Sequence, residues 1–254
     1  MRPTEGMSVL ITGGGSGIGE GAAEHFVAAG ASVTITGRRA GKVEAVAGRL
    51  GERCRAVAGD VTVAADRERM IEAAVSHGGE RLDVLINNAG NMYRGPVEQL
   101  EEDRLLELFH SNVVAGMMLC GLAVPHLRAS RGCVLFVGSV HTKRSFPGVA
   151  PYAATKGAIE TLTGVLAAEL GPQGIRVGCV RPGAVLTEIN QRAGLFDDEQ
   201  AAARLAAMSG AHALGRIGTA AEIAEAFEYL ARAEWTTGEV LVVDGGLGLG
   251  VTHD

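Results

Sequence analysis

Short apolar segments alternate with longer segments of helical periodicity along the whole sequence. Several apolar segments are unbroken runs of Val, Ile and Leu, which are typical of strands covered on both faces. Alternating strands and helices predict right-handed β–α–β units and therefore a parallel sheet. The predicted strands are residues 8–12, 32–36, 55–58, 84–87, 132–138, 176–180 and 239–243, and the predicted helices are residues 17–29, 41–50, 64–77, 101–128, 151–170 and 220–232.

The chain is predicted to form one doubly wound α/β domain over residues 1–254, because its length suits a single domain and no linker divides it. One segment, about residues 188–215, breaks the rhythm with mixed polar residues, Ala and Gly. It lies at the carboxyl edge of the predicted sheet, so we predict that it forms a substrate lid. A plain helical connection is the alternative.

Charge and cysteine patterns exclude several classes of function. A formal net charge of −6 makes nucleic acid and anionic membranes poor partners, and no apolar stretch reaches the roughly 18 residues of a membrane span. The four cysteines are scattered and the N-terminus lacks the apolar core of a signal peptide, so we expect reduced thiols and a cytoplasmic location. The histidines show no metal-ligand spacing, and no metal is predicted.

A glycine-rich segment, TGGGSGIG, follows the first predicted strand and opens the first helix. Glycines let the backbone approach a pyrophosphate, and a helix N-terminus offers free N–H groups and a positive dipole end. A tight turn uses the same residues, but the strand–turn–helix context favours nucleotide binding. The predicted cofactor contacts here are Gly13, Gly15, Ser16, Gly17, Ile18 and Gly19.

The end of the second predicted strand carries Arg38 and Arg39, with Lys42 close behind. Sites that prefer NAD usually place an acidic residue here for the ribose 2′-hydroxyl, whereas guanidinium groups suit a 2′-phosphate. No neighbouring carboxylate in the sequence repels that phosphate. We therefore predict that NADP(H) is the preferred cofactor and that NAD(H) can also bind. The alternative is that these basic residues form a solvated loop without a cofactor role.

Three further strand ends are predicted to reach the same cofactor. Asp60 could bind the adenine, although Asp60 or Thr62 could instead cap the next helix. The NNAG segment after the fourth strand suggests a polar latch or an ordinary turn, and the Pro-Gly segment after the sixth strand suggests nicotinamide contacts or a loop turn. The predicted residues are Asp60, Val61, Asn88, Ala89, Gly90, Pro182, Gly183, Val185 and Thr187.

The segment YAATK places Tyr152 and Lys156 four residues apart, with Ser139 thirteen residues upstream. On a helix, positions i and i+4 share one face. A cation beside a phenol favours the phenolate, so such a pair can give or take a proton near neutral pH. A surface pair is the alternative, but the neighbouring motifs favour catalysis. Asn112 could kink the long helix and hold a water against Lys156, or be an exposed mid-helix residue.

Together these residues resemble the short-chain dehydrogenase/reductase family over nearly the whole length, through TGGGSGIG, Asp60-Val61, NNAG, Asn112, Ser139, YAATK, PGAVLT and TGEVLVVDGG. The resemblance implies a Rossmann-type seven-stranded parallel sheet, commonly a homotetramer, and a catalytic set of Asn112, Ser139, Tyr152 and Lys156. Both cofactor contact and proton transfer are then expected at Tyr152 and Lys156, with Ser139 holding the substrate oxygen.

The substrate is predicted only as a small carbonyl compound or alcohol that is interconverted between ketone and secondary alcohol. Its predicted contacts are His141 and Met92, with a structural histidine and core packing as the alternatives. Length, the Gly-Arg pair and the terminal DGG resemble 3-oxoacyl reductases, whereas Ser139-Val140-His141 and residues 183–190 resemble glucose and related sugar dehydrogenases. A non-catalytic NADP-binding regulator is a third reading, although such relatives usually lose the Tyr or the Lys. Apolar positions on several faces of helices 101–128 and 151–170 predict a homo-oligomer, a tetramer or a dimer.

Overall fold

A computed structural model describes residues 1–189, 199, 203 and 207–250 of the chain. Seven strands form one sheet: β1 (Ser8–Thr12), β2 (Ser32–Gly37), β3 (Cys54–Ala58), β4 (Val84–Asn87), β5 (Cys133–Val137), β6 (Arg176–Pro182) and β7 (Glu239–Val243). Their order across the sheet is β3-β2-β1-β4-β5-β6-β7, and every neighbouring pair is parallel. The predicted doubly wound parallel sheet is thereby confirmed.

Helices cover both faces of this sheet. They are α1 (Gly17–Ala28), α2 (Ala40–Leu50), α3 (Ala64–His77), α4 (Glu102–Phe109), α5 (Ala115–Ser130), α6 (Ala150–Leu170) and α7 (Ala220–Arg232). One core joins α1, α2 and α7 to the sheet around Phe26 and Phe227, and the other joins α3, α5 and α6 around Met70 and Phe136. Both β1 and β5 are buried at every position, which explains their unbroken apolar sequences.

The helix predicted over residues 101–128 is one continuous run with a wider section in its middle. A π-helical turn, His110–Val114, joins α4 to α5, and Asn112 lies in it. The run from Glu102 to Ser130 is long and apolar enough to cross a membrane by length and composition, a test that core helices also pass. Half of the most apolar 18-residue stretch of this run is buried within the protein.

Three strands extend beyond their predicted limits because of their partners: β2 runs on to Gly37, which pairs with Ala58. Cys54 begins β3 because it pairs with Val33, and β6 runs on to Pro182, which pairs with Val243. About half of the predicted lid at about 188–215 lies outside the described residues. Its described part includes a single 3₁₀ turn, Ser209–Ala211.

Candidate active site

The strand order reverses at β1, since β2 lies on one side and β4 on the other, and a crevice opens at the carboxyl ends of the strands. Two adjoining clefts of about 570 and 420 Å³ occupy it, and both are lined by Gly13, Ser16, Ala89 and Gly90. We call the larger cleft the basic end and the smaller cleft the tyrosine end. The basic end is also lined by Gly15, Arg38, Arg39, Lys42, Asp60 and Val61, and the tyrosine end by Gly17, Ile18, Asn88, Met92, Ser139, His141, Tyr152, Lys156, Pro182, Gly183, Val185 and Thr187.

The glycine-rich loop forms the floor where the two ends meet. Gly13 and Gly17 have φ values of +69° and +59°, which favour glycine. At Gly19 a Cβ would collide with the carbonyl oxygen of Gly13 and lie 2.5 Å from Asn88 Nδ2. The loop therefore brings bare backbone to the start of α1, where N–H groups suit a diphosphate.

Thr12 and Asn88 lock this loop to the end of β4. Thr12 Oγ1 accepts hydrogen bonds from the backbone N–H groups of Asn88 and Ala89, both at 3.0 Å. Asn88 Nδ2 donates to the carbonyl oxygens of Thr12 and Gly13 at 2.8 and 3.1 Å. The NNAG segment is thus a polar latch, and Thr12, which no sequence motif indicated, is its partner.

At the basic end, Arg38 lies between two polar side chains. Its Nη1 is 3.9 Å from a carboxylate oxygen of Asp60, and its Nη2 donates to Asn91 Oδ1 at 3.4 Å. Asp60 Oδ1 accepts from both the backbone and the hydroxyl of Thr62. Helix α3 begins after Val63, so Asp60 supports a turn before the helix and does not cap it.

Arg39 and Lys42 bind a carboxylate that the sequence did not predict. Glu188 accepts from Arg39 Nη2 at 2.7 Å and from Lys42 Nζ at 3.2 Å, and Arg39 also donates to Ser16 Oγ at 3.2 Å. The expectation that no carboxylate lies near these cations is therefore wrong, because the fold brings in one that is distant in sequence. Burial raises the pKa of Glu188, but the hydrogen bonds from Arg39 and Lys42 leave it below its usual value.

Tyr152 and Lys156 lie on one face of α6, near its beginning. Both side chains are buried, and Lys156 Nζ lies 5.4 Å from the centre of the Tyr152 ring. Lys156 Nζ also donates a 2.8 Å hydrogen bond to the carbonyl oxygen of Val137, the last residue of β5. The ammonium is thus fixed beside the phenol at the tyrosine end.

Ser139 follows β5 and begins a 3₁₀ turn, Val140–Thr142, where its hydroxyl accepts from the N–H of His141 at 3.3 Å. Thr142 Oγ1 lies 2.8 Å from both the Ser139 carbonyl oxygen and Glu160 Oε1. Glu160 in turn holds Arg181 through two hydrogen bonds of 2.8 and 2.7 Å. A nearly buried ion pair therefore supports the turn that carries Ser139.

Asn112 connects the π-helical turn to two other segments, the loop at Asn91 and helix α6. Its Oδ1 accepts from the N–H of Asn91 at 2.8 Å, and its Nδ2 donates to the Asn91 carbonyl oxygen at 3.0 Å and to Thr155 Oγ1 at 3.1 Å. A π-helical turn often marks a functional position. The structure therefore joins Asn112 to α6 at Thr155, which lies between Tyr152 and Lys156 in the sequence, and Asn112 is buried, not exposed as in the alternative.

The segment after β6 forms the wall of the tyrosine end. At Gly183 a Cβ would lie 2.7 Å from the Asp244 carbonyl oxygen, so glycine permits close packing on the segment after β7. Val185 makes an isolated parallel bridge with Gly218. Thr187 reaches across to the start of α1, since a Cβ added at Gly17 would lie 3.1 Å from the Thr187 Cβ.

The remaining lining of the tyrosine end mixes apolar and polar groups. His141 packs edge-on against Tyr152, with ring centres 5.7 Å apart, and lies 4.9 Å from Phe146. Met92 and Arg94 line the same cleft. Nothing in the sequence pointed to Arg94 as a site residue except its position shortly after the NNAG segment. Within the part of the chain that the structure describes, no group of His, Cys, Asp and Glu side chains could hold a metal ion.

Comparisons with known proteins agree with this arrangement. A family model described as enoyl-(acyl carrier protein) reductase matches residues 13–248. An L-fucose dehydrogenase of Oryctolagus cuniculus is 40% identical over 255 residues, covering 96% of this chain and 86% of that protein. A glucose 1-dehydrogenase of Gluconobacter oxydans (strain 621H) is 34% identical over 252 residues, covering 96% of this chain and 92% of that protein.

A solved structure is also similar. The 3-ketoacyl-(acyl-carrier-protein) reductase from Brucella melitensis, crystallised in complex with NADH, superposes with a TM-score of 0.87 at 34% identity. The match covers 96% of this chain and 99% of that one.

Proposed function

This chain belongs to the short-chain dehydrogenase/reductase family, and the fucose and glucose dehydrogenases similar to it act on CH–OH groups. We propose that it uses NADP(H) to interconvert a ketone and a secondary alcohol. The observation that carries this proposal is the position of Tyr152 beside Lys156, in the same cleft as Ser139 and next to the glycine-rich loop. A phenol, a cation and a hydroxyl meeting at one end of a dinucleotide-shaped groove suit proton transfer to or from a substrate oxygen.

The residues that would hold the cofactor run the length of the groove. The glycine cradle between Gly13 and Gly19 suits the pyrophosphate, since the positive φ values of Gly13 and Gly17 shape a loop of bare backbone at the start of α1. Arg38, Arg39 and Lys42 suit a 2′-phosphate at the basic end. The cofactor, when bound, supplies or accepts the hydride.

The side chains of the tyrosine end supply the proton and hold the substrate. The Ser139 hydroxyl donates to the substrate oxygen and fixes its position. Tyr152 gives its phenolic proton to a ketone oxygen, or takes the proton from an alcohol. Lys156 provides a fixed positive charge that stabilises the phenolate, and its hydrogen bond to Val137 prevents it from turning away.

Cofactor preference for NADP(H) is supported by three cations at the basic end. Three carboxylates, Asp60, Glu107 and Glu188, also line or reach this end, so we expect a smaller preference than the sequence alone predicted. Titration of NADPH and NADH into the protein tests this point. Tighter binding of NADH would contradict it.

A second substrate class, sugars or polyols, is favoured by the polar groups His141 and Arg94 in the tyrosine end and by the named activities of two relatives. The test follows nicotinamide absorbance with four substrates: a simple ketone, a 3-oxoacyl thioester, L-fucose and D-glucose. Turnover of any of them supports the proposed oxidoreductase, and the best one assigns the class. Cofactor binding without turnover of any panel member would favour a non-catalytic regulator.

The proposal includes a homo-oligomer, a tetramer or a dimer. Its support is a row of exposed apolar side chains along the α4–α5 run, formed by Leu106, Val114, Met117, Met118 and Leu122. Light scattering should give a multiple of the 26.2 kDa chain mass. A purely monomeric mass at micromolar concentration would contradict this part.

A further inference from the structure

Glu188 reaches from one end of the groove to the other. It lines the tyrosine end, directly after Thr187, yet its carboxylate binds Arg39 and Lys42 of the basic end. Arg39 continues the contact to Ser16 at the start of α1. This chain of contacts, Glu188–Arg39–Ser16, crosses the groove where its two ends meet.

The same contacts occupy the cations that suit a 2′-phosphate. Among the described residues, three positive side chains (Arg38, Arg39 and Lys42) and three negative ones (Asp60, Glu107 and Glu188) line or reach the basic end, so the formal charges balance. A dianionic phosphate must either displace the Glu188 carboxylate or bind beside it. A ribose 2′-hydroxyl carries no charge and gains little from that displacement.

We infer that Glu188 sets the cofactor preference by competing with the 2′-phosphate of NADP(H) for Arg39 and Lys42. This inference rests on the proposed function, since it requires the cofactor to lie in the groove. Glu188 therefore lowers the affinity for the phosphorylated cofactor and leaves that for NAD(H) nearly unchanged.

The solvent exposure of the three side chains determines how strongly Glu188 competes with the phosphate. The side chains of Arg39, Lys42 and Glu188 are 44%, 53% and 35% exposed. Solvent-exposed ion pairs are weak, so removing this carboxylate should change phosphate affinity by about three- to tenfold rather than by orders of magnitude.

The experiment is a calorimetric titration of the full-length protein with 2′,5′-ADP and with 5′-AMP at one fixed salt concentration. The variant is Glu188→Gln. The control is Glu24→Gln, which removes the same charge from a surface ion pair between Glu24 of α1 and Arg49 of α2. We expect E188Q to tighten 2′,5′-ADP binding by about three- to tenfold, with 5′-AMP unchanged and E24Q without effect on either.

A second pair of variants tests the route of the effect. In an Arg39→Ala background, E188Q should improve 2′,5′-ADP binding less, because one of the two cations for which Glu188 competes is gone. Equal tightening of both nucleotides, or no change for 2′,5′-ADP, would overturn the inference while leaving the proposed function intact. If the native protein binds neither nucleotide, the proposed function itself fails.

Discussion

Asn112 donates a 3.1 Å hydrogen bond to Thr155 Oγ1, and this contact joins the π-helical turn to the helix that carries Tyr152 and Lys156. Thr155 is fully buried and donates its own proton to the Tyr152 carbonyl oxygen at 2.8 Å. The position of the phenol is therefore set from a second element, because the wider turn lets the Asn112 amide reach α6.

A first prediction concerns the glycine cradle. Gly19→Ala should weaken nucleotide binding and lower the free energy of unfolding by about 1–3 kcal/mol, because the new methyl group collides with Gly13 and Asn88. Gly48 is exposed in α2, where a Cβ meets no described atom within 4 Å, so Gly48→Ala should stabilise by up to about 1 kcal/mol. Urea unfolding of both variants checks this, and equal effects would contradict it.

A second prediction concerns the ion pair below Ser139. Glu160→Gln leaves the Arg181 guanidinium nearly buried without its counter-charge, which should cost about 3 kcal/mol of unfolding free energy. Turnover should fall as well, since Thr142 and the turn after Ser139 lose a partner. Glu72→Gln, at an exposed position of α3, is the matched control. A native melting temperature for E160Q would show that this pair supports nothing.

A third prediction is a pH dependence at the start of α7. Thr219 and Glu222 form a capping box, and the hydrogen bond from Arg216, with those from Thr219, lowers the pKa of Glu222 from 4.5 to about 2. Its stabilisation is therefore complete above pH 4.5 and is lost as the pH falls through about 2. The stability difference between the native protein and Glu222→Gln, followed by urea unfolding, should shrink over that interval. A difference independent of pH would contradict the assignment.

A fourth prediction concerns the cysteines. All four are buried free thiols, and burial raises the pKa of Cys120 and Cys179 to about 12 and that of Cys54 to about 11. A thiol reagent should react with none of them in the folded protein at neutral pH, and with all four in urea. Rapid reaction of a stoichiometric thiol in the folded protein would be inconsistent with this burial.

The sequence predicts the parts of this site that lie at strand ends. TGGGSGIG, NNAG and Ser139 each follow an apolar strand, and parallel strands bring their carboxyl ends to one edge of the sheet. Glu188 could not be found in this way. It belongs to no strand-end pattern, and its contact with Arg39 joins residues 149 positions apart. Arg94 is a single charged residue in a loop, and only the folded cleft shows that it lines the tyrosine end.

The central claim is that the Tyr152 hydroxyl transfers the proton. The direct test is Tyr152→Phe, with turnover and NADPH binding measured on the same preparation and Tyr229→Phe, half-exposed on α7, as the matched control. We predict a loss of turnover of about 10²–10⁴-fold with NADPH binding retained, because only the proton donor is removed. Turnover close to that of the native protein would contradict the account.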